Sequence, residues 1–342
     1  MFQKVCSITI ITIIVIVTGM ILNNTVYKRI LPYYWGSSDI GYKRKYLIQN
    51  KERYNTIFLG SSKTHNQIIP KFFDQKCHDN NLNITSYNFG VSGLLPLESL
   101  NIYENLITKD SINIKNAFIE LDWIETINYE NLNQVRSFYW LHNKNYLVSI
   151  NSIKNSAVPI NRKIWGYFHY SLNFLENTLN VGKAQEFIKF QELQTNQIYS
   201  ASDSNNIFRG YIPLFDTLKN FPVKQYNEVI SDAKTSIEYF TTLSNNKPSK
   251  PYVNKLQEIV DISKKKGIKV YFIIPLQWKY YQYKEILPAA KNITGADIIY
   301  LFDPIKFKEM YTQSNFADPN HLNYKGAQLY TEEIFNSFFN KK

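Results

Sequence analysis

The sequence predicts an α/β protein in which helices cover both faces of a parallel sheet. Short apolar runs alternate with longer segments of helical periodicity, the order expected when parallel strands are joined by helical crossovers. The clearest helical segment is VNKLQEIVDISKKKG, which carries apolar residues on one face and ends at Gly267. The candidate strands are Thr56–Leu59, Ile84–Phe89, Ala117–Trp123, Lys269–Pro275 and Ile298–Phe302.

Composition agrees with a folded globular domain. The chain has 342 residues, of which 44% are hydrophobic and 15% aromatic. The net charge of +11 favours anionic surfaces such as an acidic envelope or glycan. Lys and Arg are dispersed along the chain, so we expect no nucleic-acid partner. The two cysteines, Cys6 and Cys77, form no metal-binding pattern, and we expect neither a disulfide, a metal nor a cofactor.

The amino terminus contains VCSITIITIIVIVTGMIL, an uncharged apolar stretch from Val5 to Leu22. About 18 residues is the short end of what crosses a bilayer as a helix. A cleaved signal peptide would need small residues at a cleavage site, which are missing, and a buried helix is the other alternative. We therefore predict a membrane anchor over 1–26 and a basic juxtamembrane connector over 27–53. Flanking charges do not set its orientation.

The remaining chain, 54–342, is predicted to be one domain with an insertion at 124–249. More than a hundred residues separate the third and fourth strands, far more than a usual connection. The insertion is rich in aromatics and includes a helical pattern, GKAQEFIKFQELQ. It is either a lid that binds substrate or a set of helices packed on the main core.

Polar residues follow the first strand in NTIFLGSSKTHNQ, at the sheet edge where α/β proteins place their chemistry. A serine there needs a base, normally a histidine oriented by a carboxylate. In FADPNHLNYKGAQ, Asp318 precedes His321 by three residues and can accept a bond from its Nδ1–H. The alternative is an ordinary loop that caps a helix. His65 follows the serines closely, and we expect it on the surface, with a contact to substrate as the alternative.

Two further segments reach the same edge. SYNFGVSGLLPLES offers Gly90 and Gly93, whose backbone N–H groups can approach a reacting oxygen closely. The third strand ends in IELDW, which places Asp122 there.

Together these segments resemble the SGNH/GDSL hydrolases over about Tyr54 to Phe339, apart from the insertion, and DPNHLNYKGA is the most specific of them. The resemblance implies a flavodoxin-like three-layer sandwich with a central parallel sheet. It implies Ser62 as nucleophile, His321 as base and Asp318 as the orienting carboxylate. Backbone N–H groups of Ser62 and Gly93 would form two donors of the oxyanion hole.

The third oxyanion donor departs from the family. The family places an asparagine at the end of the third strand, where this chain has Asp122. An ionised aspartate cannot donate, and one missing donor costs about 2.7–4 kcal/mol of transition-state stabilisation. Either Asp122 is held protonated, or Asn88 donates instead, or the site is weak or inactive.

The function implied is a serine esterase or O-acyltransferase acting on acyl esters, with acetyl favoured, of a cell-envelope glycan. The anchor would hold the catalytic domain outside the cytoplasm. The alternative is an inactive envelope protein that binds glycan or a membrane acyltransferase partner, and a third is a lipase-like enzyme on the cytoplasmic side of the bilayer. Labelling by a serine-reactive fluorophosphonate separates the enzyme from the binder.

Overall fold

The computed structural model describes residues 2–22, 38–124, 129–156, 158–179, 209–214, 222–277 and 279–340. The predicted helix GKAQEFIKFQELQ lies outside these ranges.

Five parallel strands form a central sheet in the order β2-β1-β3-β4-β5. Every candidate strand is found, so the α/β prediction is confirmed. The third strand ends at Glu120 and not at Trp123. The strands are β1 (Thr56–Leu59), β2 (Ser86–Asn88), β3 (Asn116–Glu120), β4 (Lys269–Ile274) and β5 (Asp297–Tyr300).

Helices connect and cover these strands. In chain order they are α1 (Phe2–Leu22), α2 (Ser38–Gln49), α3 (Ser62–Gln67), α4 (Pro70–Asp79), α5 (Pro96–Thr108), α6 (Tyr129–Leu132), α7 (Ser137–Trp140), α8 (Asn143–Asn155), α9 (Ile160–Leu179), α10 (Val223–Glu238), α11 (Phe240–Ser244), α12 (Lys250–Lys265), α13 (Tyr280–Lys291) and α14 (Tyr324–Phe339). A small antiparallel hairpin, β6 (Phe316–Asp318) and β7 (His321–Leu322), precedes α14.

Both faces of the sheet are buried because consecutive side chains of a strand point to opposite sides. Ile57 and Ile119 belong to one core cluster, which helices α2, α5, α12 and α13 share. Phe58 and Phe118 belong to the other, with α4 and α14. Continuous apolar strands are expected where helices cover both faces of a parallel sheet.

The insertion contributes to the main core. Trp140 of α7, Ile153 of α8 and Tyr170 of α9 are buried in the cluster that covers the first face of the sheet. This part of 124–249 therefore consists of helices packed on the main core, which was the alternative to a substrate-binding lid. Helix α9 also keeps apolar side chains exposed, among them Trp165 and Phe168.

The amino-terminal region differs in part from the prediction. Residues 2–22 form helix α1, but among the described helices none combines the length and the apolar character required to cross a bilayer. Within the predicted connector, α2 buries Ile40 and Leu47 in the main core. The end of this connector is therefore part of the folded domain.

Candidate active site

The turn after β1 presents Ser62 at the first position of α3. Ser61 is the helix N-cap, and its side chain accepts a bond from the backbone N–H of Lys63. Gly60 is required by close packing, since a Cβ there would lie 2.4 Å from Glu120 Oε2. The strand therefore ends in a glycine because a carboxylate from the neighbouring strand occupies the space of a side chain.

Ser62, His321 and Asp318 form one hydrogen-bonded chain. Ser62 Oγ lies 2.7 Å from His321 Nε2. His321 Nδ1 lies 2.7 Å from Asp318 Oδ2 and 2.9 Å from Oδ1. The structure thus brings together the serine near the start of the domain and the histidine near its end.

The β6–β7 hairpin fixes the geometry of the carboxylate. Asp318 Oδ1 accepts bonds from the backbone N–H groups of Asn320, at 2.7 Å, and His321, at 3.0 Å. Gln67 of α3 donates to the carbonyl of Asn320, which joins the hairpin to the nucleophile helix. The same three-residue spacing that identified Asp318 in the sequence therefore closes the turn.

Electrostatics at the hairpin favour an ionised Asp318. Burial by itself raises the pKa of Asp318, but hydrogen bonds and charge from His321, with the two backbone N–H groups, lower this pKa overall. An ionised carboxylate only accepts hydrogen bonds, so His321 Nδ1 carries the proton that points to it. His321 Nε2 is then free to accept the Ser62 hydroxyl proton.

The loop that follows β2 lies against the nucleophile turn. The backbone N–H of Val91 donates to the carbonyl of Gly60 at 3.0 Å. Gly93, two residues further on, adopts φ +70°, and a Cβ there would lie 2.8 Å from the side-chain amide of Asn131. Arg136 donates to the carbonyl of Gly93, and its Nε lies 3.1 Å from Glu98 Oε1. Residues of the insertion therefore hold this glycine in place.

The resemblance above implies an ester hydrolase with Gly93 N as an oxyanion donor, and on that reading Gly93→Ala is expected to lower kcat about 100-fold by displacing this donor. An alanine at φ +70° is strained, and its Cβ meets Asn131. Gly267→Ala is the matched control, because Gly267 has φ +71° but nothing within 4 Å of a Cβ. Gly267→Ala should lose roughly 1 kcal/mol of stability, and Gly93→Ala should lose more because its Cβ also meets Asn131. Equal kcat values in the two variants would contradict a catalytic role for Gly93.

Asn88 is not placed to serve as a substitute oxyanion donor. Its Nδ2 donates to the carbonyls of Thr64, at 2.7 Å, and Ile68, at 2.8 Å, while its Oδ1 accepts from Gly90 N. Both amide hydrogens are thus used in joining α3 to the loop after β2. The expectation that Asn88 could replace the missing oxyanion donor is therefore wrong.

Asp122 lies two residues beyond β3. Its Oδ1 accepts the backbone N–H of Trp123 at 2.7 Å, and its carbonyl accepts from the Tyr252 hydroxyl. Burial is the main cause that raises the pKa of Asp122; the charge of Lys63 lowers it and that of Glu120 raises it. The net effect of these causes is to raise the pKa of Asp122 above its ordinary value.

His65 is buried, with 3% of its surface exposed, so the expectation of a surface residue is wrong. Its Nδ1 lies 3.4 Å from Ser92 Oγ, and its carbonyl accepts from Ile212 N in the segment 209–214. Burial first, then the charges of Lys43 and His321, lower the pKa of His65. A neutral His65 adds no positive charge beside the triad.

No metal site accompanies the triad in the described part of the chain, where no group of three or more His, Cys, Asp or Glu side chains is placed to hold an ion. Two cavities, of about 680 and 260 Å³, are lined by other residues. Serine, histidine and aspartate in this arrangement are suited to nucleophilic acyl transfer.

Glu120 and Asn131 contact the site although the sequence analysis did not select them. Glu120 ends a buried strand directly after the apolar residues Ala117, Phe118 and Ile119, and that position was its only signal. Asn131 lies in the insertion, and nothing in the sequence connects it with Gly93.

No protein-family model matches this chain, and no curated protein sequence is similar to it.

Proposed function

We propose that the protein is a serine esterase or O-acyltransferase that acts through an acyl-enzyme on Ser62. The observation that carries the proposal is the hydrogen-bonded chain from Ser62 Oγ through His321 to Asp318. A carboxylate, an imidazole and a hydroxyl in this order make the hydroxyl nucleophilic on any scaffold.

In the proposed reaction, Ser62 Oγ attacks the carbonyl carbon of an ester as its proton moves to His321 Nε2. The C–O bond to the leaving alcohol then breaks, and His321 returns the proton to that alcohol oxygen. The acyl group is left on Ser62. Water or a second hydroxyl, deprotonated by His321, then attacks the acyl-enzyme and releases Ser62. Hydrolysis and transfer differ only in this last acceptor.

The resemblance to the SGNH/GDSL hydrolases is part of the same proposal. The strand order 2-1-3-4-5 is that of flavodoxin-like doubly wound sheets and supports a three-layer sandwich of that kind. The triad also lies beyond the carboxyl ends of the strands, where such sheets place ligands.

The proposed substrate is an acylated cell-envelope glycan, with acetyl as the favoured acyl group. The net charge of +11 would attract an acidic polymer, and Tyr324, close to His321 and 39% exposed, offers an aromatic face for a sugar ring. Attachment to the bilayer by residues 1–26, with the domain outside the cytoplasm, belongs to this proposal. Helix α1 supports it, since it has no charged residue after Lys4 and its isoleucine and valine side chains from Ile8 to Val17 are exposed.

The test is turnover of a chromogenic acetyl ester by the purified full-length chain. We expect hydrolysis by the unmodified protein and none by Ser62→Ala, while Ser314→Ala, at an exposed serine, keeps full activity. Adding a polysaccharide acceptor then separates transfer from hydrolysis by the ratio of acetylated sugar to free acetate. If the unmodified chain neither turns over the ester nor forms an acyl-enzyme, the proposal fails and the binding protein is favoured.

A further inference from the structure

The side chain of Glu120 is buried at the carboxyl end of β3, with 7% of the residue exposed. Its carboxylate lies against the turn that presents Ser62 and accepts four hydrogen bonds there. Oε2 accepts from Ser61 N at 3.0 Å, Thr64 N at 3.1 Å and Thr64 Oγ1 at 2.7 Å. Oε1 accepts from Ser61 Oγ at 2.6 Å.

The donors lie on both sides of the nucleophile. Ser61 directly precedes Ser62, and Thr64 follows two residues later, so one carboxylate fixes the chain before and after it. Hydrogen bonds to an ionised acceptor are shorter and about twice as strong as neutral ones. A buried carboxylate deprived of its donors is strongly disfavoured, so these contacts favour one arrangement of the turn.

Gly60 completes the arrangement. A Cβ on Gly60 would lie 2.2 Å from Thr64 Oγ1, 2.4 Å from Glu120 Oε2 and 2.5 Å from Glu120 Cβ. Only glycine lets the carboxylate come this close to the backbone of the turn. Gly60 directly follows β1 and Glu120 ends the neighbouring strand β3, so the two residues pack together against α3.

We propose that Glu120 is a positioning residue that holds Ser62 Oγ at hydrogen-bonding distance from His321 Nε2. The inference rests on the proposed function, because it assigns Glu120 a part in the reaction of Ser62. Glu120 contacts Ser61 and Thr64 and acts through them. A misplacement of about 1 Å in such a site can lower the rate 100-fold, so a small shift of the turn has a large effect.

The predicted consequence separates positioning from general stability. Glu120→Gln keeps the shape of the side chain but removes its charge and places an amide nitrogen where one carboxylate oxygen accepted. We expect kcat for ester hydrolysis, and the rate constant of fluorophosphonate labelling at Ser62, to fall at least 10-fold. KM should change less than 2-fold, since no contact to substrate is removed.

Asp74→Asn is the matched control. Asp74 is also a buried carboxylate; it accepts bonds from Ser86 N, at 3.0 and 2.9 Å, from Ser86 Oγ, at 2.6 Å, and from Arg209 Nη1. Ser86 begins β2, so it lies at the amino ends of the strands, whereas the triad lies beyond their carboxyl ends. Asp74→Asn should lower the Tm at least as much as Glu120→Gln and leave kcat within 2-fold. An equal loss of kcat in both variants would overturn the proposal.

A coupling measurement gives a second test that does not depend on the size of either effect. Thr64→Val removes the Oγ1–H that Glu120 accepts, and it should slow labelling in the unmodified chain. In the Glu120→Gln background the same substitution should slow labelling much less, because the partner is already altered. Independent, additive effects would overturn the positioning role.

The proposed function and the positioning role of Glu120 would fail in different ways. If fluorophosphonate labels Ser62 in the unmodified chain and Glu120→Gln is labelled at the same rate, the positioning role is wrong and the proposed function stands. If the unmodified chain is not labelled at Ser62, the proposed function fails and the positioning role fails with it.

Discussion

His321→Gln is expected to lower kcat for ester hydrolysis by about 10⁴-fold or more, because Ser62 then has no group to take its proton. His321 Nε2 lies 2.7 Å from Ser62 Oγ, and a glutamine amide at that place is not a base. KM should change little, since the imidazole acts on the nucleophile and not on bound substrate. Steady-state kinetics with a chromogenic acetyl ester measures both constants.

His78→Gln is the control for this variant. His78 is an exposed residue of α4, and its substitution should leave kcat unchanged. A His321→Gln protein that keeps more than a tenth of the original kcat, with an intact fold by circular dichroism, would show that another residue serves as the base.

Asp318→Asn is expected to lower kcat about 10⁴-fold, because it would hold the imidazole of His321 in the tautomer that cannot act as a base. The amide Nδ2–H of asparagine can donate to His321 Nδ1, which then has to carry the lone pair. Nε2 would carry the proton and could no longer accept one from Ser62. Steady-state kinetics across pH measures the effect, and a variant within 10-fold of the original kcat would contradict the role of Asp318.

The same substitution has a predictable effect on stability across pH. The pKa of Asp318 is lower in the folded protein, because bonds from His321 and the hairpin outweigh burial. The stabilisation from this group is therefore complete above the unfolded value of about 3.9 and is lost as pH falls through the lower folded pKa. Urea unfolding should show the original chain more stable than Asp318→Asn at pH 5, by a margin that shrinks at pH 3. A constant margin would contradict this.

The central strands β1, β3 and β4 were predictable because most of their residues are buried and apolar on both faces. Ile57 and Phe58 pack on opposite faces, yet both are apolar, so the run stands out from its surroundings. The Asp318–His321 pair was predictable for another reason. The two residues are only three positions apart, so their spacing in the sequence already indicates that their side chains can meet.

Contacts between distant segments were not predictable in the same way. Glu120 binds the turn 59 residues earlier, and nothing local to either segment indicates the partner. The carbonyl of His65 accepts a bond from Ile212 N, in the segment 209–214 that lies far along the chain, and nothing local to His65 indicates this contact. Helix α2 was expected to belong to a connector because Lys43, Arg44 and Lys45 are adjacent in the sequence, although Ile40 and Leu47 face the core.

The most direct measurement of the central claim is peptide mapping of the full-length protein after reaction with a fluorophosphonate. We expect a single adduct, located on Ser62, and its loss in the His321→Gln variant, since the imidazole activates the hydroxyl. An adduct on a different serine, or an equal rate of Ser62 labelling with and without His321, would contradict the account.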